Sequence, residues 1–212
     1  MKRVCEELRS VIPSFPDFEK PWEIIDHLRS IELKPNMPIK EVTGLPGATV
    51  YCGNNVEIQP YSLFTGEVIL CDDVRIGPFC FIRGPVVVGK RSMIGPHSEI
   101  IRTVIQTGTT LAHKNLIGDS IIGKNCNLAG FTTICNFSGM RKSVKAHYKD
   151  EVMQYEDKYG AYIGDNTWMG ALTILMPGAY VKPNSEIIGQ CVVYGNTKIR
   201  QMTTANVEEI VG

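Results

Sequence analysis

Ile76-Gly-Pro-Phe-Cys-Phe-Ile82-Arg-Gly-Pro-Val-Val-Val88-Gly-Lys-Arg-Ser-Met-Ile94-Gly-Pro-His-Ser-Glu-Ile100 carries a large aliphatic residue at every sixth position. The row extends backward through Leu70, Phe64 and Ile58. It resumes at Ile163 and runs through Met169, Leu175, Val181, Ile187, Val193 and Ile199. Small residues (Thr167, Thr173, Ala179, Ser185, Cys191, Thr197) stand four places after the first six members of that second row. Between the two rows the period continues with slips of one residue, through Ile105, Leu111 and Ile117 and then Ile122, Leu128 and Ile134. A helix would space apolar residues by 3.6 and a plain strand by 2. A period of six fits short strands joined by tight corners, each turning one large and one small side chain inward, better than it fits an ordinary β-sandwich. Gly, Asn and Asp, as at Gly89, Asp119, Gly123, Asn125 and Gly164 to Asn166, tolerate left-handed corner dihedrals. Three six-residue faces close an 18-residue coil, and coils stacked in parallel at roughly 4.8 Å predict ladders such as Ile58 on Ile76 on Ile94. The expected fold class is all-β, a parallel β-helix of hexapeptide repeats.

The flanks follow other rules. Val4, Leu8 and Val11 share one helix face, and Pro21 opens a second segment in which Glu23 sits in the first turn and Trp22, Ile25 and Leu28 are apolar. The expected organisation is a short N-terminal α-helical cap over residues 1–48 and the repeat over 49–212, with the helices covering the open end of the β-helix. Residues 137–160 break the repeat with many charges and with Tyr148, Tyr155 and Tyr159, and read as one long inserted loop of the kind that is often functional.

Composition narrows the class further. Twenty-two basic residues balance 22 acidic ones, which gives no reason to expect nucleic acid or an acidic membrane as partner. No apolar run is long enough to span a bilayer, and the first residues lack the apolar stretch of a signal peptide. The seven cysteines (5, 52, 71, 80, 126, 135, 191) form no CxxC and several lie in apolar stretches, so they read as reduced thiols of a cytoplasmic protein. No Gly-rich phosphate loop on a βα turn precedes residue 50, so no nucleotide-binding domain is expected in that stretch.

Four histidines exist. His27 reads as packing or surface, His97 as a solvated corner, and His147 lies in the charged insertion. His113 differs: Lys114, Asn115, Asn127, Asn136 and Lys142 follow within thirty residues. A single corner His is structural or catalytic; the residues by themselves leave both open.

The stretch Ile76 to Arg83, and then His113-Lys-Asn-Leu-Ile-Gly-Asp-Ser-Ile-Ile-Gly-Lys-Asn-Cys-Asn127-Leu-Ala-Gly-Phe-Thr-Thr-Ile-Cys-Asn136, resembles the C-terminal acetyltransferase domain of the bifunctional bacterial N-acetylglucosamine-1-phosphate uridyltransferases. It is also similar to that domain in archaeal sugar-1-phosphate nucleotidylyltransferase/amino-sugar acetyltransferases. The resemblance covers roughly residues 55–195 and is ungapped from Arg83 to Asn136. It implies a left-handed winding, against the usual crossover rule, a homotrimer in the cytoplasm, and transfer of an acetyl group from acetyl-CoA, as co-substrate and without a metal, to the amine of an amino-sugar phosphate or related amino sugar.

By the same resemblance His113 takes the general-base position and Asn136 a second catalytic position, with an oxyanion donor expected from Asn136 or a nearby backbone N–H. Arg83, Asn127, Lys142 and Lys145 fall on substrate-binding positions. A family tyrosine is Leu116 here and a family lysine is Ile101, with Arg102 adjacent as a candidate phosphate ligand. The cofactor would run past Gly130, Ala171 and Ile188, and Lys182, Lys198 and Arg200 are candidate partners for its phosphates. Three other readings compete: a non-catalytic scaffold or regulatory subunit, an acyltransferase with another acceptor, and a zinc hydrolyase on the same fold. The last requires three histidines around the metal, two of them closely spaced, and His97 and His113 are 16 apart.

Overall fold

The structure, a computed structural model, describes residues 1–38, 40, 46–139 and 143–201, the side chains of 198–201 excepted. Short strands of two to four residues form three parallel sheets, here faces A, B and C, each of seven parallel rungs. The winding is that of a left-handed parallel β-helix. Face B carries one more strand, Lys198–Gln201, which runs antiparallel to Cys191–Tyr194.

The six-residue period becomes three inward columns. On face C, Ile58, Ile76, Ile94, Leu111, Leu128, Met169 and Ile187 stack in register. On face B the column is Phe64, Ile82, Ile100, Ile117, Ile134, Leu175 and Val193. On face A it is Cys52, Leu70, Val88, Ile105, Ile122, Ile163 and Val181. Almost every member is fully buried, and burial of one such aliphatic side chain contributes about 1.5–3 kcal/mol. The one-residue slips shorten two coils to 17 residues, so that Val87 pairs with Val104 and Val104 with Ile121.

The corners divide the work between residue types. At the A–C corner the left-handed position is held by Asn55, Asp73, Arg91, Gly108, Asn125, Asn166 and Asn184. Gly89, Gly123 and Gly164 do not adopt that conformation. They are small because the next coil comes close: a Cβ on Gly123 would lie 2.5 Å from the Asp165 nitrogen.

The helices are Lys2–Val11 (α1) and Pro21–Ser30 (α2). The expectation that they cover the open end is corrected by their packing. The outward row of face A, Tyr51, Ile69, Val87, Val104, Ile121, Tyr162 and Tyr180, is apolar, and α1 and α2 lie along it with Val4, Leu8, Val11, Trp22, Ile25 and Leu28 turned inward. Glu7 of α1 accepts from the Thr107 backbone N–H at 2.7 Å and from Gln106 at 3.0 Å, which fixes the helix to the side of the prism. The inserted segment is also more ordered than a loop: Val144–Tyr148 and Glu151–Tyr155 form an antiparallel hairpin. Its Val144, Ala146, Tyr148 and Tyr155 pack into the same cluster as the helices. Face A is therefore covered, while faces B and C are open along their described length.

Candidate active site

His113 stands at the C–B corner, exposed, between Thr110–Leu111 of face C and Leu116–Gly118 of face B. This corner is a ladder of backbone bonds. Phe131 N–H donates to the His113 carbonyl at 2.9 Å, Leu172 N–H to the Gly130 carbonyl at 3.1 Å, and Gln190 N–H to the Ala171 carbonyl at 2.8 Å. His113, Gly130 and Ala171 are thus successive rungs of one column. Gly130 lies beside His113, and a Cβ there would come only into ordinary contact with it, 3.5 Å from the His113 carbonyl oxygen and 3.8 Å from its Cβ.

The outer side of face C is a groove running along the prism. Its floor is Gly77, Gly95, Ala112, Ala129 and Gly170, which offer no side chain beyond Cβ. Two clefts lie on this floor. The upper one is lined by Glu57, Gln59, Arg75, Met93, Ala112 and His113. The lower one is lined by Asn127, Ala129, Trp168, Gly170, Glu186 and Ile188. His113 lines the upper cleft, one coil before Asn127 and Ala129 of the lower, and the sequence-expected Asn127, Gly130, Ala171 and Ile188 all belong to the coils of the lower one. Ile188 is 74 % exposed and Trp168 60 %. Sequence reasoning missed Glu57, Arg75, Trp168 and Glu186. Counting back from Asn127 by 17, 17 and 18 residues along the face C register gives Thr110, Met93 and Arg75, so the coil lengths held the signal once the slips were placed.

The edge that flanks this groove is built largely from bulky residues. Its left-handed position is held by Tyr61, Phe79, His97, Lys114, Phe131, Leu172 and Gln190. A bulky residue in that conformation costs about 1–2 kcal/mol relative to glycine, and the A–C corner shows the cheaper solution. Tyr61 and Phe79 stack at 5.0 Å, Phe79 and His97 at 5.1 Å with planes 2° apart, and the Lys114 ammonium lies 5.2 Å from the Phe131 ring centre. Tyr61 is 72 % exposed and Phe79 51 %. The result is a continuous exposed ridge.

The remaining expected residues lie elsewhere. Asn136 and Arg102 meet at the A–B corner, a whole face away from His113, roughly 10 Å for three strand residues. Both are bound to Asp119, which is fully buried. Arg102 donates from Nε to Asp119 Oδ1 at 2.6 Å and from Nη2 to Oδ2 at 2.8 Å, and Asn136 Nδ2 donates to Oδ2 at 2.5 Å. Arg29 of α2 adds a second cation to Asp119 at 2.5 Å and also reaches Tyr155 Oη and Asp157 at 3.1 Å each. This cluster ties α2, the corner and the hairpin together. Arg83 lies on face B, paired with Glu99 at 3.0 Å. Lys145 is exposed on the hairpin over face A. Lys142 lies outside the described residues, as do the side chains of Lys198 and Arg200; Lys182 is exposed near the A–C corner. Among the described residues no group of three or more His, Cys, Asp or Glu side chains is placed to hold a metal ion. None of the described helices is long and apolar enough to cross a membrane.

Comparison with known proteins matches residues 64–158 to the family described as the GMPPB C-terminal domain. The bifunctional protein GlmU of Methanococcus aeolicus is 31% identical over 181 residues, 84% of this chain and 44% of that protein. GlmU of Thermotoga maritima is 35% identical over 135 residues, 64% of this chain and 28% of that protein. The chain spans less than half the length of these curated relatives. A solved hexapeptide transferase family protein from Anaplasma phagocytophilum is similar over 79% of this chain and 88% of its own, with 15% identity and a TM-score of 0.40.

Proposed function

We propose that this chain, a relative of the bifunctional GlmU proteins and of the GMPPB C-terminal domain, is an acyltransferase that moves an acetyl group from acetyl-CoA to the amine of an amino sugar carrying a phosphate or nucleotide. The observation that carries the reading is an exposed histidine lining one of two clefts that follow each other along face C. An amine must lose a proton to attack a thioester, and a histidine in reach of it is the side chain suited to accept one near neutral pH. His113 is that base. The carbonyl oxygen, negative in the tetrahedral intermediate, needs a fixed donor, worth around 3 kcal/mol. The Gly130 N–H, one rung from His113 and making no backbone hydrogen bond among the described residues, fills this role better than Asn136, whose amide is engaged by Asp119 at another corner. The thioester arm lies along Ala129, Gly170 and Ile188, where the floor is flat. Holding both reactants in one groove supplies the proximity that the reaction requires.

The assembly that goes with this reading is a homotrimer built on the exposed ridge, which a second copy covers. The phosphates of the carrier fall to Lys182.

A second reading, a non-catalytic scaffold, draws on particular observations. Ile101 and Leu116 on face B are apolar, and Arg102 and Asn136 serve Asp119. One experiment separates the two: thiol release from acetyl-CoA with glucosamine-1-phosphate as acceptor, for wild type and His113→Ala. A loss of at least a hundredfold in the mutant supports the base assignment. Equal turnover in both removes His113 from the mechanism, and no turnover with a panel of amino-sugar phosphates favours the scaffold.

A further inference from the structure

At the A–B corner the left-handed backbone position goes to glycine on several coils, at Gly66, Gly178 and Gly195, but to Arg102 and Asp119 on two coils between them. Strain of that kind persists only where the surroundings hold it, and it gathers at functional sites. Here the Asp119 carboxylate is the anchor. Its Oδ1 accepts from Arg102 Nε at 2.6 Å and from Arg29 Nη2 at 2.5 Å. Its Oδ2 accepts from Arg102 Nη2 at 2.8 Å and from Asn136 Nδ2 at 2.5 Å.

A carboxylate only accepts, so it decides which way the Asn136 amide faces. The nitrogen is committed to Asp119, while Oδ1 makes no hydrogen bond among the described residues and the side chain is half-buried. The amide lies over Gly118, where a Cβ would stand 2.5 Å from Asn136 Nδ2 and 2.8 Å from its Cγ. Gly118 continues the outward row of Arg83 and Ile101 on face B. Arg83 is two rungs above it, about 10 Å at the rung spacing, and His113 stands at the opposite edge of the same face, on the coil of Gly118. Asn136 therefore supplies face B with the amide that Gly118 lacks.

We propose that Asp119 is a positioning residue for the acyl acceptor: it fixes the Asn136 carbonyl as a hydrogen-bond acceptor on face B, to which a hydroxyl or amine N–H of the amino sugar donates. Arg29 makes α2 a support of that site from behind, through the same carboxylate. The ligand class rests on the acyl-transfer reading above, but the orientation of Asn136 can be tested without turnover.

The chemistry of the cluster defines the variants. In Asp119→Asn the two guanidinium groups keep an oxygen at the Oδ1 place, so the new amide nitrogen faces Asn136. Asn136 then turns over and shows a donor where the acceptor stood. Adding Asn136→Asp returns an outward oxygen and restores the lost negative charge to the cluster.

The test is calorimetric titration of glucosamine-1-phosphate, in the absence of coenzyme A, into wild type, Asp119→Asn, the Asp119→Asn/Asn136→Asp double variant and Asn136→Leu, at a temperature where melts show each to be folded. The expected result is at least tenfold weaker binding in Asp119→Asn and in Asn136→Leu, with the double variant recovering most of the loss. Wild-type affinity in Asp119→Asn or in Asn136→Leu overturns the proposal, as does a wild type that does not bind. A double variant that binds no better than Asp119→Asn also overturns it, since a merely structural carboxylate predicts no such rescue. Should Asp119→Asn fail to fold, Asn136→Leu and the double variant still decide. Parallel thiol-release assays separate the two layers: the expected binding pattern without any turnover refutes acyl transfer and leaves the positioning role standing, and turnover indifferent to Asp119 refutes the positioning role alone.

Discussion

Arg102 grips Asp119 with two parallel hydrogen bonds, 2.6 and 2.8 Å, on a carboxylate with no exposed surface. Arg29 arrives at the same carboxylate from α2, ninety residues away in sequence. Removing one partner from a buried ion pair leaves the others uncompensated, at a cost of about 3–5 kcal/mol. Asp119→Asn is therefore expected to lower the melting temperature by on the order of 10 °C for a chain of this size. Hydrogen exchange should rise first in α2 and the hairpin, because Asp119 ties both to the prism. A melt within 2 °C of wild type would refute this account of the cluster, the threshold being set at roughly the shift for 1 kcal/mol.

Ala129 lies on the floor of the lower cleft, half-buried and facing outward, beside Asn127 and Trp168. Ala129→Leu fills that floor without disturbing the inward columns. We expect the KM for acetyl-CoA to rise about tenfold, the equivalent of 1.4 kcal/mol, with the melting temperature unchanged. An unaltered KM would remove the carrier from this cleft.

The ridge makes a prediction with two signs. Phe79→Asn puts a residue that tolerates the left-handed backbone where Phe79 has φ of +57°. The relief of about 1–2 kcal/mol offsets lost stacking on Tyr61 and His97, worth about 0.5–1.5 kcal/mol per pair. Intrinsic chain stability should hardly change, whereas the proposed homotrimer should dissociate at lower dilution by light scattering. A variant that assembles as tightly as wild type would exclude the ridge from the interface.

Burial holds the thiols in their neutral form. Cys71 is pushed up to about 12 and Cys126 to about 11, in both cases chiefly by desolvation. Both folded values exceed the ordinary thiol value, so the folded chain is favoured while the thiols stay protonated. That stability is fully present below pH 9 and is lost as pH rises toward 11–12. Iodoacetamide at pH 8 should modify partly exposed Cys135 first and spare Cys71 and Cys126 until denaturant is added, as peptide mass mapping would reveal.

The inward columns were legible because a period is carried by neighbouring residues, and the ladder of Ile58, Ile76 and Ile94 is found in register. The helices were legible as helices, but their docking was not. What they cover is written in another part of the chain, the apolar outward row from Tyr51 to Tyr180 on face A. The hairpin was hidden by its charges, although Val144, Ala146 and Tyr148 alternate as a half-buried strand does. Of the candidate site, the column from His113 through Gly130 to Ala171 came out together. Asn136 and Arg102 did not join it, since nothing local in the sequence announces that Asp119 is buried and collects them together with Arg29.

The groove of face C is paved by rungs of fixed height. A ligand lying along it is consequently measured in whole coils, and the length it can have changes by steps of roughly 4.8 Å rather than by degrees. Inserting or deleting one coil beyond Ile188 would alter how long a tail the protein accommodates while leaving the chemistry at His113 untouched. Such a scaffold works as a gauge, and related chains could diverge in the size of what they accept by counting coils instead of reshaping a pocket.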